Sequence, residues 1–275
     1  MRAICSIIMI LSLVACSHIE GDSKQLFVTI EPYRFVVEAV AGEEWNVRSI
    51  VSNGGNPETF DPMPSDLLAL ASSKAYFMVG GLGFENGWKE KIAELYPHLL
   101  LVDTSQGIER DEDDPHVWTS PDNISLIADN ICGAMCRIDS LRANYYNKRL
   151  MQFKKRLFET DSIVESKLQS CKGASFLIFH PSLTYFSNRY RLRQITVEHE
   201  GKEPSIMQMK SVVDAADEAD VRCLFMQAGF DARSMQAVAN ELSIEIVEIN
   251  PLSYDWHGEM IRIADALSLT DSKDD

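Results

Sequence analysis

The sequence predicts an α/β protein of two lobes, each built on a mostly parallel sheet, with one long rigid helix joining them. Short apolar runs alternate with segments of helical periodicity through most of the chain, as in repeated βα units. A long polar segment near the middle carries a single apolar stripe and contains neither glycine nor proline. The 275 residues also exceed the usual size of one hydrophobic core, which favours two lobes.

The first residues have the character of an export signal. Arg2 precedes an apolar run over 7–15 that is too short to span a bilayer. The run ends in Leu-Val-Ala-Cys, which resembles a bacterial lipobox and implies cleavage before Cys16 and lipidation of that cysteine. We therefore expect a lipoprotein signal peptide over 1–15, a tether over 16–24, and a lipid-anchored protein at the cell envelope, outside the cytoplasm.

The first α/β lobe is predicted over 25–138. Its strands are expected at four short apolar runs, and its helices where apolar residues recur every three or four positions. The predicted strands are 26–30, 47–51, 75–79 and 99–102, and the predicted helices are 34–41, 65–72 and 88–95.

The segment between the lobes is predicted to be one continuous linking helix within 139–170. Six apolar side chains, from Tyr146 to Leu168, recur at intervals of three, four or seven residues, and no helix breaker occurs from Ser140 to Gln169. A helix of about 30 residues would be roughly 45 Å long, which predicts a rigid strut. A coiled-coil partner is the alternative, but the stripe lacks sustained heptads, and this favours packing against the lobes.

The second lobe, predicted over 171–270, repeats the pattern of the first. Its predicted strands are 175–179, 192–196, 223–226 and 246–249. Four cysteines remain in the predicted mature chain, and sequence alone leaves open whether they are thiols or disulfides. For Cys132 and Cys136, four residues apart on a predicted helix, we favour thiols. None of the four has the spacing of a zinc cluster.

Charge and motifs exclude several classes of function. A net charge of -15 and a pI near 4.8 argue against nucleic acid as a partner and against electrostatic attachment to anionic lipid, but are compatible with a cationic ligand. No nucleophile elbow, Walker loop or dinucleotide fingerprint occurs. The segment 199–203 starts like the His-Glu-x-x-His helix of zinc proteases but has Glu203 in place of the second histidine. We therefore expect no enzyme.

Polar side chains beside prolines follow several of the predicted strands. They lie in the segments 56–66, 114–121, 179–182 and 248–252. Because the carboxyl ends of strands border the ligand crevice in open α/β sheets, we expect these side chains to converge between the lobes. Each also has a simpler interpretation on its own, such as a loop histidine beside a structural Trp118, a solvated glutamate or a turn-starting asparagine.

Other polar residues lack such a context. His18, His98 and His257 are expected at the surface. The acidic cluster over 109–114 is predicted to be a solvated loop, with a weak attraction for cations as the alternative.

Five features together give the chain a family resemblance. They are Pro-x-x-Phe-Asp-Pro-x-Pro-Ser-Asp at 57–66, Gly-Leu-Gly-Phe-Glu at 81–85 followed by Trp88, Asp-Pro-His-Val-Trp-x-Ser-Pro at 114–121, the central helix, and His-x-Gly-Lys-Glu-Pro-Ser at 199–205. In this order they resemble the metal-binding solute-binding lipoproteins of bacterial zinc, manganese and iron ABC transporters. The resemblance covers nearly the whole mature chain. It implies a metal cleft between the two lobes and delivery of a divalent metal ion to a membrane permease.

The resemblance also implies four metal ligands. The first family ligand, a histidine, falls on Glu58, and the second falls on His116. The third, histidine or glutamate in the family, falls on His180, and the fourth, often an aspartate, falls on Asn250. Two positions therefore depart from the common pattern. One departure adds a negative charge and the other removes one, so the summed ligand charge is preserved.

The departures leave the metal and the fourth ligand open. Two imidazoles and one carboxylate suit zinc, which we expect first, and also manganese or iron. Asp61, Asp255, a carbonyl or a water is an alternative to Asn250. An adhesin, or a degenerate family member that binds another ligand, is the alternative function. The expected partners are the ABC permease, the divalent metal ion and the membrane that holds the anchor, with no nucleic acid, and the chain is expected to be a monomer.

Overall fold

The structure, a computed structural model, describes residues 24–51, 55–111, 114–198, 205–228 and 232–271. The predicted signal peptide and the lipidation at Cys16 lie outside these residues, as does the motif that starts at His199, except for Ser205. Within the described ranges, no helix combines the length and the apolar character that crossing a bilayer requires.

Each lobe contains a four-stranded parallel sheet, as predicted. The strands of the first sheet are β1 (Gln25–Val28), β2 (Asn46–Ser49), β3 (Ala75–Met78) and β4 (Leu100–Asp103). The strands of the second sheet are β5 (Ser175–Ile178), β6 (Arg193–Thr196), β7 (Leu224–Gln227) and β8 (Ile246–Ile249). The orders are β2-β1-β3-β4 and β6-β5-β7-β8, so the second lobe repeats the topology of the first.

Helices cover both faces of the sheets, as parallel sheets require. They are α1 (Glu31–Ala41), α2 (Pro64–Leu70), α3 (Gly83–Leu95), α4 (Pro121–Ile138), α5 (Ala143–Lys167), α6 (Thr184–Tyr190), α7 (Ile206–Glu218), α8 (Ala232–Leu242) and α9 (Trp256–Asp271). Three of them begin with a proline in the first turn, where its missing N–H costs no hydrogen bond.

Alternate residues of the strands enter different cores. On β3, Phe77 joins a core between the two sheets, whereas Tyr76 faces the outer helices α2 and α3. On β5, Phe176 joins the same inner core, whereas Leu177 faces the outer cluster of the second lobe. The inner core therefore runs without interruption from one lobe to the other, and Trp118 is part of it. Lobes that share one core are expected to rock rather than to swing freely.

The linking helix α5 packs on α1 and α4 of the first lobe and on α9 of the second. The predicted strut is confirmed, but it is shorter than the expected 30 residues. Its 25 residues span about 37 Å at 1.5 Å per residue. A 3₁₀ turn over Ser140–Arg142 precedes it, because the Arg142 N–H bonds to the Asp139 carbonyl three residues back and not four.

The Gly-Leu-Gly-Phe-Glu motif holds the end of β3 in place. Glu85, at the end of the motif, is buried and accepts hydrogen bonds from the Val79 N–H at 2.9 Å and the Gly80 N–H at 2.8 Å. The hydroxyl of Thr29, the residue after β1, donates a third hydrogen bond to Glu85. Burial raises the pKa of Glu85 to about 7, although all three hydrogen bonds act in the opposite direction. The motif therefore has a structural role in the first lobe.

The four cysteines of the described chain are free thiols. Cys132 and Cys136 lie one turn apart on α4, as the sequence favoured, and Cys171 and Cys223 are buried. Burial raises the pKa of the Cys132 and Cys223 thiols to about 12, which leaves them unreactive at neutral pH.

His257 is not a surface residue, and its prediction was wrong. Its Nδ1 lies 2.7 Å from the Thr160 hydroxyl of α5, and its ring stacks edge-on against Phe35 of α1 at 5.0 Å. Burial lowers its pKa to about 4, with a further decrease from Arg156 and an opposing effect of Asp255. His98, by contrast, is exposed as predicted.

His257 is expected to make the fold less stable in acid. Between its ordinary pKa of 6.5 and its folded pKa of about 4, the unfolded chain binds a proton that the folded chain does not, so stability falls as the pH drops through this window. The loss should reach about 1–2 kcal/mol, because water screens part of the ring. Urea unfolding across the window should show a flatter pH dependence for His257→Gln than for the wild type. His98→Gln serves as the control, and an unchanged slope in His257→Gln would contradict the assignment.

Candidate metal centre

Polar side chains line up along the carboxyl edge of the second sheet. Glu198 follows β6, His180 follows β5, Gln227 ends β7 and Asn250 follows β8. In the spatial order β6-β5-β7-β8 these four residues lie on neighbouring strands. The carboxyl edge of a parallel sheet is where ligands bind in open α/β folds.

The first lobe contributes His116 from the segment between β4 and α4. The His116 N–H donates a hydrogen bond to Asp114 Oδ1 at 2.8 Å, and the His116 carbonyl accepts one from the Thr119 N–H at 3.2 Å. The 3₁₀ turn Val117–Thr119 follows directly and leads into α4. The backbone of His116 is thus held on both sides, and the residue is 4% exposed.

Glu58 reaches the same place from the loop between β2 and α2. Its N–H donates a hydrogen bond to Asn56 Oδ1 at 2.9 Å, in an Asx turn, and the preceding Pro57 is buried. The backbone of this turn directs the carboxylate toward the two histidines.

Three side chains converge between the lobes. The Nε2 atoms of His116 and His180 are 3.3 Å apart. Glu58 places one carboxylate oxygen 3.8 Å from His116 Nε2 and the other 3.4 Å from His180 Nε2. One potential ligand atom of each residue lies within 4.8 Å of the others, so a single cation could contact all three.

A buried or half-buried carboxylate orients each imidazole. His116 Nδ1–H donates to Asp114 Oδ1 at 2.7 Å, and His180 Nδ1–H donates to Glu198 Oε2 at 2.9 Å. Burial by itself would raise the pKa of Asp114, but the hydrogen bonds from the ring and the N–H of His116 outweigh it, and the pKa lies below its usual value. Asp114 is therefore ionised and accepts the Nδ1 proton.

The two carboxylates determine where the free lone pairs point. With Nδ1 protonated in both rings, each neutral imidazole turns an unprotonated Nε2 toward the other ring. Two nitrogen lone pairs and the Glu58 carboxylate then face one small volume. Such a set of acceptors repels itself unless a cation or a proton lies between its members.

Gln227 fixes the backbone of the second histidine. Its amide nitrogen donates hydrogen bonds to the His180 carbonyl and to the Ser182 hydroxyl, and its amide oxygen accepts one from the His180 N–H at 3.3 Å. All three residues are buried. His180 is therefore held both at its backbone, by Gln227, and at its ring Nδ1, by Glu198.

Two tryptophans, Trp118 and Trp256, link the lobes through their indole N–H groups. The Trp118 indole N–H donates to the Pro251 carbonyl at 2.9 Å, and the Trp256 indole N–H donates to the Trp118 carbonyl at 2.7 Å. The ring of His116 lies 5.0 Å from that of Trp118. The aromatic anchor that follows His116 in the sequence thus ties the histidine to the other lobe.

Asn250 lines the cavity of about 120 Å³ that also contains His116 and His180. Its side-chain oxygen accepts a hydrogen bond from the Leu252 N–H at 3.2 Å, and its own N–H donates to Glu259 at 2.7 Å. The amide oxygen has a second lone pair, which leaves one acceptor position for another partner.

The alternative carboxylates lie elsewhere. Asp255 accepts a hydrogen bond from the Gly258 N–H at 3.1 Å at the start of α9, and Trp256 is the first residue of that helix. Asp61 is exposed. Among the described residues, neither Asp61 nor Asp255 lines the cavity. The segment 199–204 lies outside the described residues.

Sequence reasoning missed three residues of this site. Asp114 was placed in a solvated acidic loop, but its carboxylate is half-buried against His116. Its position two residues before His116 could have indicated this role. Glu198 and Gln227 follow or end predicted strands, and a polar residue at that position was the available signal. Their role becomes visible only once β6 and β7 are known to flank β5.

A fold of two parallel α/β lobes on a linking helix, with a cluster of metal-ligand side chains between them, indicates the metal-binding substrate-binding proteins of ABC transporters. The family described as ZnuA, "Zinc-uptake complex component A periplasmic", matches residues 26–267. The chain belongs to this family, whose members bind and deliver a metal and are not enzymes.

Individual relatives agree with this class. A manganese ABC transporter substrate-binding lipoprotein, PsaA, of Streptococcus anginosus is 24% identical over 264 residues, which cover 86% of this chain and 84% of the relative. A putative metal-binding protein of Chlamydia muridarum is 24% identical over 256 residues, covering 89% and 91%. The crystal structure of a ZnuA superposes with a TM-score of 0.86 at 31% identity and covers 90% of this chain and 99% of that one.

Proposed function

We propose that this chain captures a divalent transition-metal ion outside the cytoplasm, zinc in the first instance, and delivers it to the membrane permease of an ABC transporter. Glu58, His116 and His180 would bind the ion directly, and Asn250 or a water would complete the shell. The convergence of two Nε2 atoms and one carboxylate carries the proposal, because these acceptors repel one another unless a cation or a proton lies between them.

Zinc is preferred over manganese and iron on the chemistry of the donors. Two imidazoles, one carboxylate and one weak oxygen donor form a four-coordinate set of the kind zinc accepts, whereas manganese favours more oxygen ligands. The family match to zinc uptake and the 31% identity to a ZnuA structure support the same choice. Manganese is the second candidate, because the streptococcal relative is named for it.

The protein would act at the cell envelope as a lipid-anchored monomer. Removal of residues 1–15 and acylation of Cys16 would leave a tether over 16–24 ahead of the first lobe. Relatives that are named lipoproteins support this location. The site supports capture rather than catalysis, because Glu58, His116 and His180 each offer a potential ligand atom to one position.

The arrangement of the donors favours metal capture over a degenerate family member that acts as an adhesin or binds another ligand. A chain that had lost its metal would have no need to keep Asp114 and Glu198 on the far sides of His116 and His180. The departures from the family pattern at Glu58 and Asn250 also leave every direct position with an oxygen or nitrogen donor.

Calorimetric titration of the metal-stripped protein with zinc, manganese(II) and iron(II) tests the proposal. Zinc should bind with a dissociation constant well below about micromolar, and magnesium, as the control, should not. Affinity should fall in mildly acidic buffer, because protons compete with the metal for imidazole. Binding weaker than about micromolar for all three metals would favour the degenerate alternative.

The orienting carboxylates should contribute strongly to metal affinity. Asp114→Asn and Glu198→Gln keep the size of each side chain but weaken the acceptor that holds the imidazole. Each change should lower zinc affinity by about 10- to 100-fold, as measured by competition with a chelating dye. Asp111→Asn is the matched control, since Asp111 lies in the same acidic segment and pairs with Asn188. An effect no larger than that of the control would show that the two carboxylates are not part of the site.

A further inference from the structure

The first part of the linking helix has a charge opposite to that of the chain. Residues 140–158 contain six lysines and arginines and no acidic residue, in a protein of net charge -15. Three of the six cations pair with single carboxylates, Arg142 with Glu44, Lys154 with Asp129 at 2.6 Å, and Lys155 with Glu159 at 3.9 Å. The remaining positive charge is concentrated on one element.

Four side chains form a regular stripe on the solvent side of α5. Lys148, Met151, Lys155 and Phe158 are spaced by three, four and three residues, so they share one face of the helix. This 148–158 stripe alternates cationic and apolar side chains. Met151 is 66% and Phe158 69% exposed, and the Lys155 side chain, 3.9 Å from Glu159, is 80% exposed. Buried residues occupy the opposite face of α5.

The described part of the chain begins next to the start of this helix. Lys24 is the first described residue, and its ammonium pairs with Glu44 at 2.6 Å. The same carboxylate oxygen pairs with Arg142, directly before α5. Cys16 is eight residues before Lys24, so a fully extended tether reaches at most about 28 Å. The membrane is thereby held within reach of α5, which is itself about 37 Å long.

We propose that the 148–158 stripe docks on the anionic surface of the membrane that holds the anchor, an inference that rests on the lipidation at Cys16 in the proposed function. Phe158 and Met151 enter the interface between headgroups and acyl chains, and Lys148 and Lys155 contact anionic headgroups. A helix with an apolar and basic face binds membranes in this way, and lysine stems can lie along the apolar surface while the ammonium stays in water.

The charge distribution selects lipid over a second copy of the chain. Two stripes facing each other would bring four lysines together, which is unfavourable, whereas anionic headgroups attract all of them. The acidic remainder of the surface is repelled by the same headgroups, so the stripe becomes the preferred contact. The net charge of the chain therefore argues against attachment of the molecule as a whole but not of this face.

Tryptophan quenching in vesicles tests the docking. The full lipidated chain carrying Phe158→Trp is reconstituted in brominated phosphatidylcholine, with or without phosphatidylglycerol, and the native tryptophans provide a constant background. Emission of the introduced tryptophan should fall about twofold when phosphatidylglycerol is present, because insertion brings it to the acyl boundary. Leu68→Trp on α2 is the matched control, since Leu68 has the same 69% exposure, and it should stay unquenched.

Charge reversal separates the contribution of the lysines. Lys148→Glu with Lys155→Glu should lower the ratio of docked to undocked protein by at least about thirtyfold, since each lysine near an anionic surface contributes roughly fivefold and the added glutamates are repelled. Zinc affinity of the same variant should be unchanged, so a failure of metal binding is distinguishable from a failure of docking.

Three results would overturn the proposal. They are equal quenching at both positions, quenching independent of phosphatidylglycerol, and self-association through the stripe in sedimentation. An unacylated Cys16 in the intact mass would overturn it as well.

Discussion

Replacing His116 by alanine should lower zinc affinity by at least about a hundredfold, more than the loss of an orienting carboxylate. The change removes one of the two imidazoles from the site. It also leaves the Asp114 carboxylate without the hydrogen bond that the His116 ring donates. Glu58 and His180 would then bind the ion from two sides only. Competition with a chelating dye, across zinc concentrations from nanomolar to micromolar, measures the loss.

Controls must separate the ligand from the fold. His98→Ala removes an exposed histidine outside the cavity and should leave zinc affinity unchanged. His116→Asn keeps a polar side chain in the same position and should also lose affinity, while its thermal unfolding stays near that of the wild type. Wild-type zinc affinity in His116→Ala would show that the cleft has been assigned wrongly.

Replacing Trp118 by alanine should lower the free energy of unfolding by about 3–5 kcal/mol, the range for large aromatic side chains removed from a core. The side chain is fully buried in the core that both lobes share. Its removal also leaves the Pro251 carbonyl of the other lobe without its indole donor. Urea unfolding at neutral pH, followed by circular dichroism, measures the change.

Two further variants separate packing from hydrogen bonding. Trp118→Phe keeps most of the apolar volume, so its smaller loss should combine a missing hydrogen bond, about 1 kcal/mol, with a modest packing defect. Trp88→Ala removes a half-buried tryptophan of α3 and should cost less than Trp118→Ala. An equal loss of unfolding free energy in Trp88→Ala and Trp118→Ala would contradict a special role of Trp118 between the lobes.

The fold was predictable because most of its strands are nearly continuous apolar runs, although β2 and β6 are mixed in polarity. All four residues of β3, Ala-Tyr-Phe-Met, are apolar, which is typical of a strand covered on both faces. Boundaries were less accurate. The 3₁₀ turn at Ser140–Arg142 differs from α-helix only in which carbonyl accepts each hydrogen bond, and apolar periodicity does not report this choice.

The site was predictable where a residue and its restraint are close in sequence. His116 and His180 lie beside prolines after strands, and the structure brings both to one cavity with Glu58 and Asn250 nearby. Glu198 was not predictable, because its role depends on β6 lying beside β5. The prediction that His257 lies at the surface was wrong for the same reason, since its partners on α5 and α1 are remote in sequence.

The three proposed ligands differ in how far their side chains are withdrawn from solvent. The side chains of His116 and His180 are 6% and 10% exposed, and each is anchored to a different lobe of a shared core, whereas that of Glu58 is 33% exposed on a loop. Rotation of an exposed side chain takes picoseconds to nanoseconds, far less than a movement of packed lobes. The imidazoles would then set the equilibrium affinity while Glu58 sets the dissociation rate. A permease that draws this one carboxylate aside would shorten the residence time of the ion without opening the lobes.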